Sequence, residues 1–102
     1  MRYRLMRVQG SSMSPTLNDG DLVIVDRELT DVPPAGTIVA ARPAGLDGKA
    51  VVKRVSAVCA EQLTLLGDNP FDSLDSRRLG PVPRRDLLGS VRLRLWPWSR
   101  IR

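Results

Sequence analysis

The chain of 102 residues contains no histidine and only two lysines, Lys49 and Lys53. Without imidazole the usual general base is missing. The remaining candidates are the carboxylates, the N-terminal amine, the thiol of Cys59 and the two lysines. Lys49 follows Asp47-Gly48 in what reads as a hairpin tip, so its ammonium faces water and makes a poor base. Lys53 lies inside an apolar stretch, 50–59, that alternates as a strand. Its companions on one face are Val51, Val55, Ala57 and Cys59, whereas Arg54 points away with Val52 and Ser56. An ammonium on a dry face loses hydration, its pKa falls, and a neutral amine becomes available as a base. A hydroxyl is the natural nucleophile for such a base.

Hydroxyls cluster in Gly10-Ser11-Ser12-Met13-Ser14-Pro15-Thr16-Leu17. Gly10 permits an unusual backbone dihedral and Pro15 stiffens the segment beyond it, so the hydroxyls between them can be held in a fixed, exposed geometry. The residue types alone do not choose among Ser11, Ser12 and Ser14.

The elements that must position these groups are strands. Eight glycines and eight prolines punctuate short runs rich in Val, Ile and Leu, and helical periodicity is scarce, so the chain reads as all-β. Strands are expected at 3–9, 21–26, 37–42, 50–59, 62–66 and 87–95. Turns are expected at Asn18-Asp19-Gly20, Pro33-Pro34-Ala35-Gly36 and Leu46-Asp47-Gly48-Lys49. Residues 67–83, with three prolines and five charged side chains, read as a long irregular segment of the kind that carries function.

Length and composition bound the rest. About a hundred residues make one domain, 1–102, and 42% apolar with 26% charged residues is a globular composition. No apolar run approaches the roughly 20 residues that span a bilayer, and the basic N-terminus lacks the apolar stretch of a secretory signal, so the expected compartment is the cytoplasm. A single cysteine closes no intrachain disulfide, and neither a metal site nor a cofactor is expected. The net charge of +5 is uneven: 1–76 carry −2 and 77–102 carry +7. A basic end with Trp96 and Trp98 suits a peripheral contact of 91–102 with a membrane surface. With 4% aromatic residues there is little for bases to stack on, and no nucleic-acid partner is expected.

The serine segment, then Asp19-Gly20-Asp21, Val52-Lys53-Arg54-Val55, Gly67-Asp68-Asn69-Pro70, Ser73-Leu74-Asp75-Ser76-Arg77 and Gly80-Pro81-Val82-Pro83 resemble, in order and spacing, the signal peptidase I family of serine proteases. The resemblance runs from about residue 8 to 96. It implies a coiled β-sheet catalytic domain and a Ser/Lys dyad, Ser12 as nucleophile and Lys53 as base. It gives Ser73 the task of orienting the lysine, and Asp75 and Arg77 that of an ion pair pinning their segment. The oxyanion falls to the backbone N–H of Ser12. Some members add a hydroxyl two residues earlier, where this chain has Gly10, so it uses another donor, for which the neighbouring Ser11 is the candidate, or does without. Substrate, a protein or peptide, is implied to lie as an extended strand between 7–10 and 50–52, with Gln9, Gly10, Met13 and Val52 in contact.

Membrane-bound members carry N-terminal spanning helices and often a large insertion after the lysine. Here thirteen residues separate Lys53 from Gly67 and no such helix is seen. The chain is therefore most similar to the small soluble branch that matures nickel-type superoxide dismutase by removing an N-terminal extension. The alternative within the family is a peripheral enzyme cleaving secretory leaders at a membrane. A self-cleaving repressor relative would use the same dyad, but no DNA-reading helix pair is expected here.

Overall fold

The computed structural model describes residues 1–29, 31–72 and 78–100, with the side chains of Ser99 and Arg100 outside that description. Among these described residues eight strands form: β1 Tyr3–Arg7, β2 Leu22–Asp26, β3 Ile38–Ala41, β4 Val51–Cys59, β5 Gln62–Leu66, β6 Arg78–Pro83, β7 Leu87–Trp96 and β8 Ser99–Arg100. A single 3-10 turn, Arg84–Asp86, joins β6 to β7. All strands belong to one antiparallel sheet in the order β1-β2-β7-β3-β4-β5-β6, with β8 folded back on β7. The all-β expectation holds, and the six expected strands appear within one or two residues of their bounds.

β3 explains how one sheet supports two cores. All four of its residues are apolar and buried, the pattern of a strand covered on both faces. Ile38 and Ala40 join Val8, Met13, Leu17, Val23, Val25, Val52 and Val91 in one cluster. Val39 and Ala41 join Val55, Leu63, Leu65, Val82 and Leu87 in the other. The coiled sheet wraps a core on each side of its middle strand, and β4 feeds both through Val52 and Val55.

Two expectations need correction. Residues 67–83 are not irregular throughout, since 78–83 form β6 despite two prolines. The sheet order supplies the reason. Among the described residues β6 pairs with β5 alone, and a strand with one bonded edge tolerates residues that cannot donate on the other. The dry face assigned to Lys53 is also shorter than expected. Val55 is buried, but Ala57 and Cys59 are exposed, because the register against β5 shifts between Val55 and Ala57 and the end of β4 runs out past both cores.

Candidate active site

The serine segment leaves the sheet at the end of β1. Val8 still bonds across to Asp21 and Gly20, and Gly10, at φ +83°, turns the chain out while its N–H donates to the carboxylate of Asp19 at 2.7 Å. A tight turn comes next, closed by Ser14 N–H to Ser11 O and Leu17 N–H to Met13 O. Met13 and Leu17 are fully buried and anchor this turn in the first core, leaving Ser12 half-buried between them and the surface.

The three serines are sorted by their surroundings. The Ser14 hydroxyl donates to Asn18 Oδ1 at 2.8 Å within the turn. Ser11 is exposed and its hydroxyl reaches Asp72 Oδ1 at 3.5 Å. Ser12 lines a narrow cleft of about 60 Å³ together with Lys53, and the other walls are Met6, Arg7, Val8, Gln9, Ala50, Val51 and Val52. Of the residues singled out from sequence, Ser12, Lys53, Gln9 and Val52 are thus brought to one place. Gly10 and Ser11 are not among the lining residues, and Met13, 1% exposed, belongs to the core beneath the cleft rather than to its surface. Ser73, Asp75 and Arg77 lie outside the described residues.

Lys53 is 4% exposed, while Lys49 is on the surface in its turn. Burial holds the Lys53 ammonium below its ordinary pKa of 10.5, and the negative charge of Asp72 partly opposes that shift. The arrangement therefore favours a free amine more than solvent would.

Sequence reasoning missed the clamp that holds the two segments together. Arg54, next to the lysine, makes a bidentate pair with Asp68, Nε to Oδ1 at 2.9 Å and Nη2 to Oδ2 at 2.8 Å. That hydrogen-bonded pairing raises the Arg54 pKa above its ordinary value, burial notwithstanding. Asp68 Oδ2 also accepts from the Thr16 hydroxyl at 2.6 Å, so one carboxylate joins the lysine strand to the serine turn. Asn69 completes the hold: its N–H donates to Ser12 O at 2.9 Å and its side-chain amide to Ser11 O at 2.9 Å. Gly67 must be glycine here, since a Cβ would sit 2.5 Å from Ser12 O. The available signal was Arg54 on the face opposite Lys53, with one nearby motif rich in acceptors, Gly67-Asp68-Asn69. Among the described residues no three His, Cys, Asp or Glu side chains gather as metal ligands.

Residues 2–81 match the Peptidase S24-like family. The chain belongs to that family. As an S24-like domain it is a protease domain of the serine type. It is 33% identical to mitochondrial inner membrane protease subunit 1 of Xenopus tropicalis, over 86% of this chain and 66% of that protein. It is 30% identical to the Schizosaccharomyces pombe protein of the same name, over 93% of this chain and 74% of the relative. A third relative, mitochondrial ATP-independent inner membrane protease subunit 1a of Arabidopsis thaliana, is also 30% identical, with 88% and 68% covered. The S24-like domain thus spans about two thirds of the length of these curated relatives. Their names overturn the cytoplasmic compartment expected from sequence: each is a protein of an inner membrane. That expectation rested on missing hydrophobic segments, which do not report on association with a membrane through partners or a surface. No helix among the described residues is long and apolar enough to cross a membrane.

Proposed function

We propose that this S24-like domain is an endopeptidase that uses Ser12 as nucleophile and Lys53 as general base to remove an N-terminal extension from a protein delivered at a membrane surface. The observation that carries the reading is the shared cleft, in which a half-buried serine hydroxyl and a buried lysine with a lowered pKa are the chemically active side chains. The neutral Lys53 amine takes the proton of the Ser12 hydroxyl as its oxygen attacks the scissile carbonyl. The backbone N–H of Ser12 stabilises the oxyanion. Collapse of the tetrahedral intermediate breaks the C–N bond, and the Lys53 ammonium gives its proton to the leaving amine. Lys53 then activates water to hydrolyse the ester. The supporting roles that the resemblance implies for Ser73, Asp75 and Arg77, which lie outside the described residues, are part of this proposal.

Open strand edges support a substrate bound as an added strand. β1 pairs with β2 alone, and β4 pairs with β3 from Val51 onward but with β5 only from Arg54. The edges left over, at 7–9 and 50–52, both line the cleft. A peptide between them gains main-chain hydrogen bonds on two sides. The membrane setting is supported by the relatives' names and by Trp96 and Trp98, 71% and 66% exposed at the turn between β7 and β8. The test is N-terminal sequencing of co-expressed precursors, one with a secretory-type leader and one a nickel-type superoxide dismutase precursor, with wild type and Ser12→Ala. Trimming by wild type alone supports the dyad and identifies the substrate. Trimming of neither precursor would sink the reading.

A further inference from the structure

Two larger cavities share lining residues, one with the cleft and the other with the first. One of about 290 Å³ shares Met6 with it and is otherwise lined by Arg4, Val25, Arg27, Arg42, Leu87 and Leu88. The next, of about 520 Å³, shares Arg27 and Leu87 with the second and adds Arg84 and Arg85. Arg4 and Met6 alternate on the same face of β1 as the buried Val8, so Met6 borders both the cleft and the neighbouring arginine-lined cavity.

Five arginines from separate parts of the chain line this trench, and Glu61 is the acidic side chain among its lining residues. Glu61 approaches Arg84 at 3.6 Å, and Arg84 is further held by the carbonyl of Leu29 at 2.7 Å. Arg27 donates to the carbonyl of Met1 at 3.0 Å. Among the described residues no carboxylate pairs with Arg4, Arg42 or Arg85. Like charges gathered without counter-charge repel, and an anionic occupant relieves that repulsion.

The geometry points to a specificity trench that binds an acidic segment of the same polypeptide whose scissile bond lies at Ser12. This rests on the protease reading above. An extended chain advances roughly 3.3 Å per residue, as β1 itself does. A substrate strand running along β1 from Arg7 at the cleft therefore draws level with Arg4 about three residues on, and positions three to six are the ones to test against Arg4, Arg42 and Arg85. The wall shared at Met6 favours a peptide over a lipid headgroup, since a substrate strand leaving the cleft along β1 passes Arg4.

The test uses the whole chain and two peptides that share the cleavage region of a trimmed precursor. In one, positions three to six on each flank carry Asp and Glu; in the other, Asn and Gln. Wild type is expected to favour the acidic peptide by roughly tenfold in kcat/KM at low salt, the sum of a few exposed ion pairs. That ratio should fall toward one at about 0.5 M salt. It should also fall toward one in Arg4→Gln/Arg42→Gln/Arg85→Gln, and persist in Lys49→Gln, which removes one positive charge elsewhere. A ratio near one in wild type, or a preference kept by the triple variant, overturns the proposal. If wild type cleaves neither peptide, the protease reading fails by itself. The trench is then judged by fluorescence anisotropy of the labelled peptides. Tighter binding of the acidic one, lost in the triple variant, supports it, and equal binding overturns it. If the triple variant loses binding to phosphatidylglycerol vesicles while the peptide ratio is unmoved, the arginines serve a membrane and the proposal is likewise overturned.

Discussion

At the scale of the residue, a lysine withdrawn from water has a pKa that depends on how much hydration it loses and which charges face it. Lys53 loses most of its hydration, with Asp72 as the opposing influence. Because its native pKa lies below 10.5 and the unfolded chain keeps the ordinary value, the unfolded state binds more protons between the two. Stability therefore rises with pH across that window and is lost as pH falls through the native value. Replacing Lys53 with Met should flatten this slope in denaturant titrations run from neutral to alkaline pH. Catalysis depends on the same proton. In the proposed mechanism kcat/KM climbs with pH until Lys53 is neutral, and Asp72→Asn moves that limb to lower pH by removing the charge that favours the ammonium. A limb that does not move in Asp72→Asn would detach the profile from Lys53. Ser12→Ala and Lys53→Ala should each lower kcat by roughly 10⁴-fold or more with unchanged circular dichroism, whereas Lys49→Ala stays near wild type.

At the scale of the element, the serine turn and the lysine strand are independent pieces that must meet. Anchoring comes from Met13 and Leu17 beneath the turn and from the Arg54–Asp68–Thr16 and Asn69 bonds above it. Gly67→Ala brings a Cβ against Ser12 O, so the serine turn has to shift relative to the lysine strand. A displacement near 1 Å is enough to lower kcat by about 10²-fold, with KM changed less. Asp68→Asn should act in the same direction and cost about 1 kcal/mol in urea melts, since this pair is only partly buried. Stability loss with kcat intact in both variants would show the clamp to be structural alone.

At the scale of the whole molecule, one sheet carries the proposed Ser12/Lys53 pair beside a cleft and exposed tryptophans on the β7–β8 turn. Trp96→Ser/Trp98→Ser should reduce flotation with anionic vesicles, most clearly at high salt where arginine attraction is screened. Equal flotation of variant and wild type would remove this turn from any membrane contact.

Local chemistry made much of this protein legible. Short branched runs between glycines and prolines gave the strands, turn residues gave the hairpins, and one lysine in an apolar strand pointed to the buried amine of Lys53. Such signals are local: a few neighbouring residues fix a turn type or the parity of a strand. What stayed hidden depends on residues far apart in the chain. The pairing of Arg54 with Asp68 and the tolerance of prolines in β6 depend on which strand lies beside which, and residue types without the family motif left Ser11, Ser12 and Ser14 equivalent. Only folding makes neighbours of positions 12, 53 and 67–69, and the hydration and charge around each group are properties of that neighbourhood.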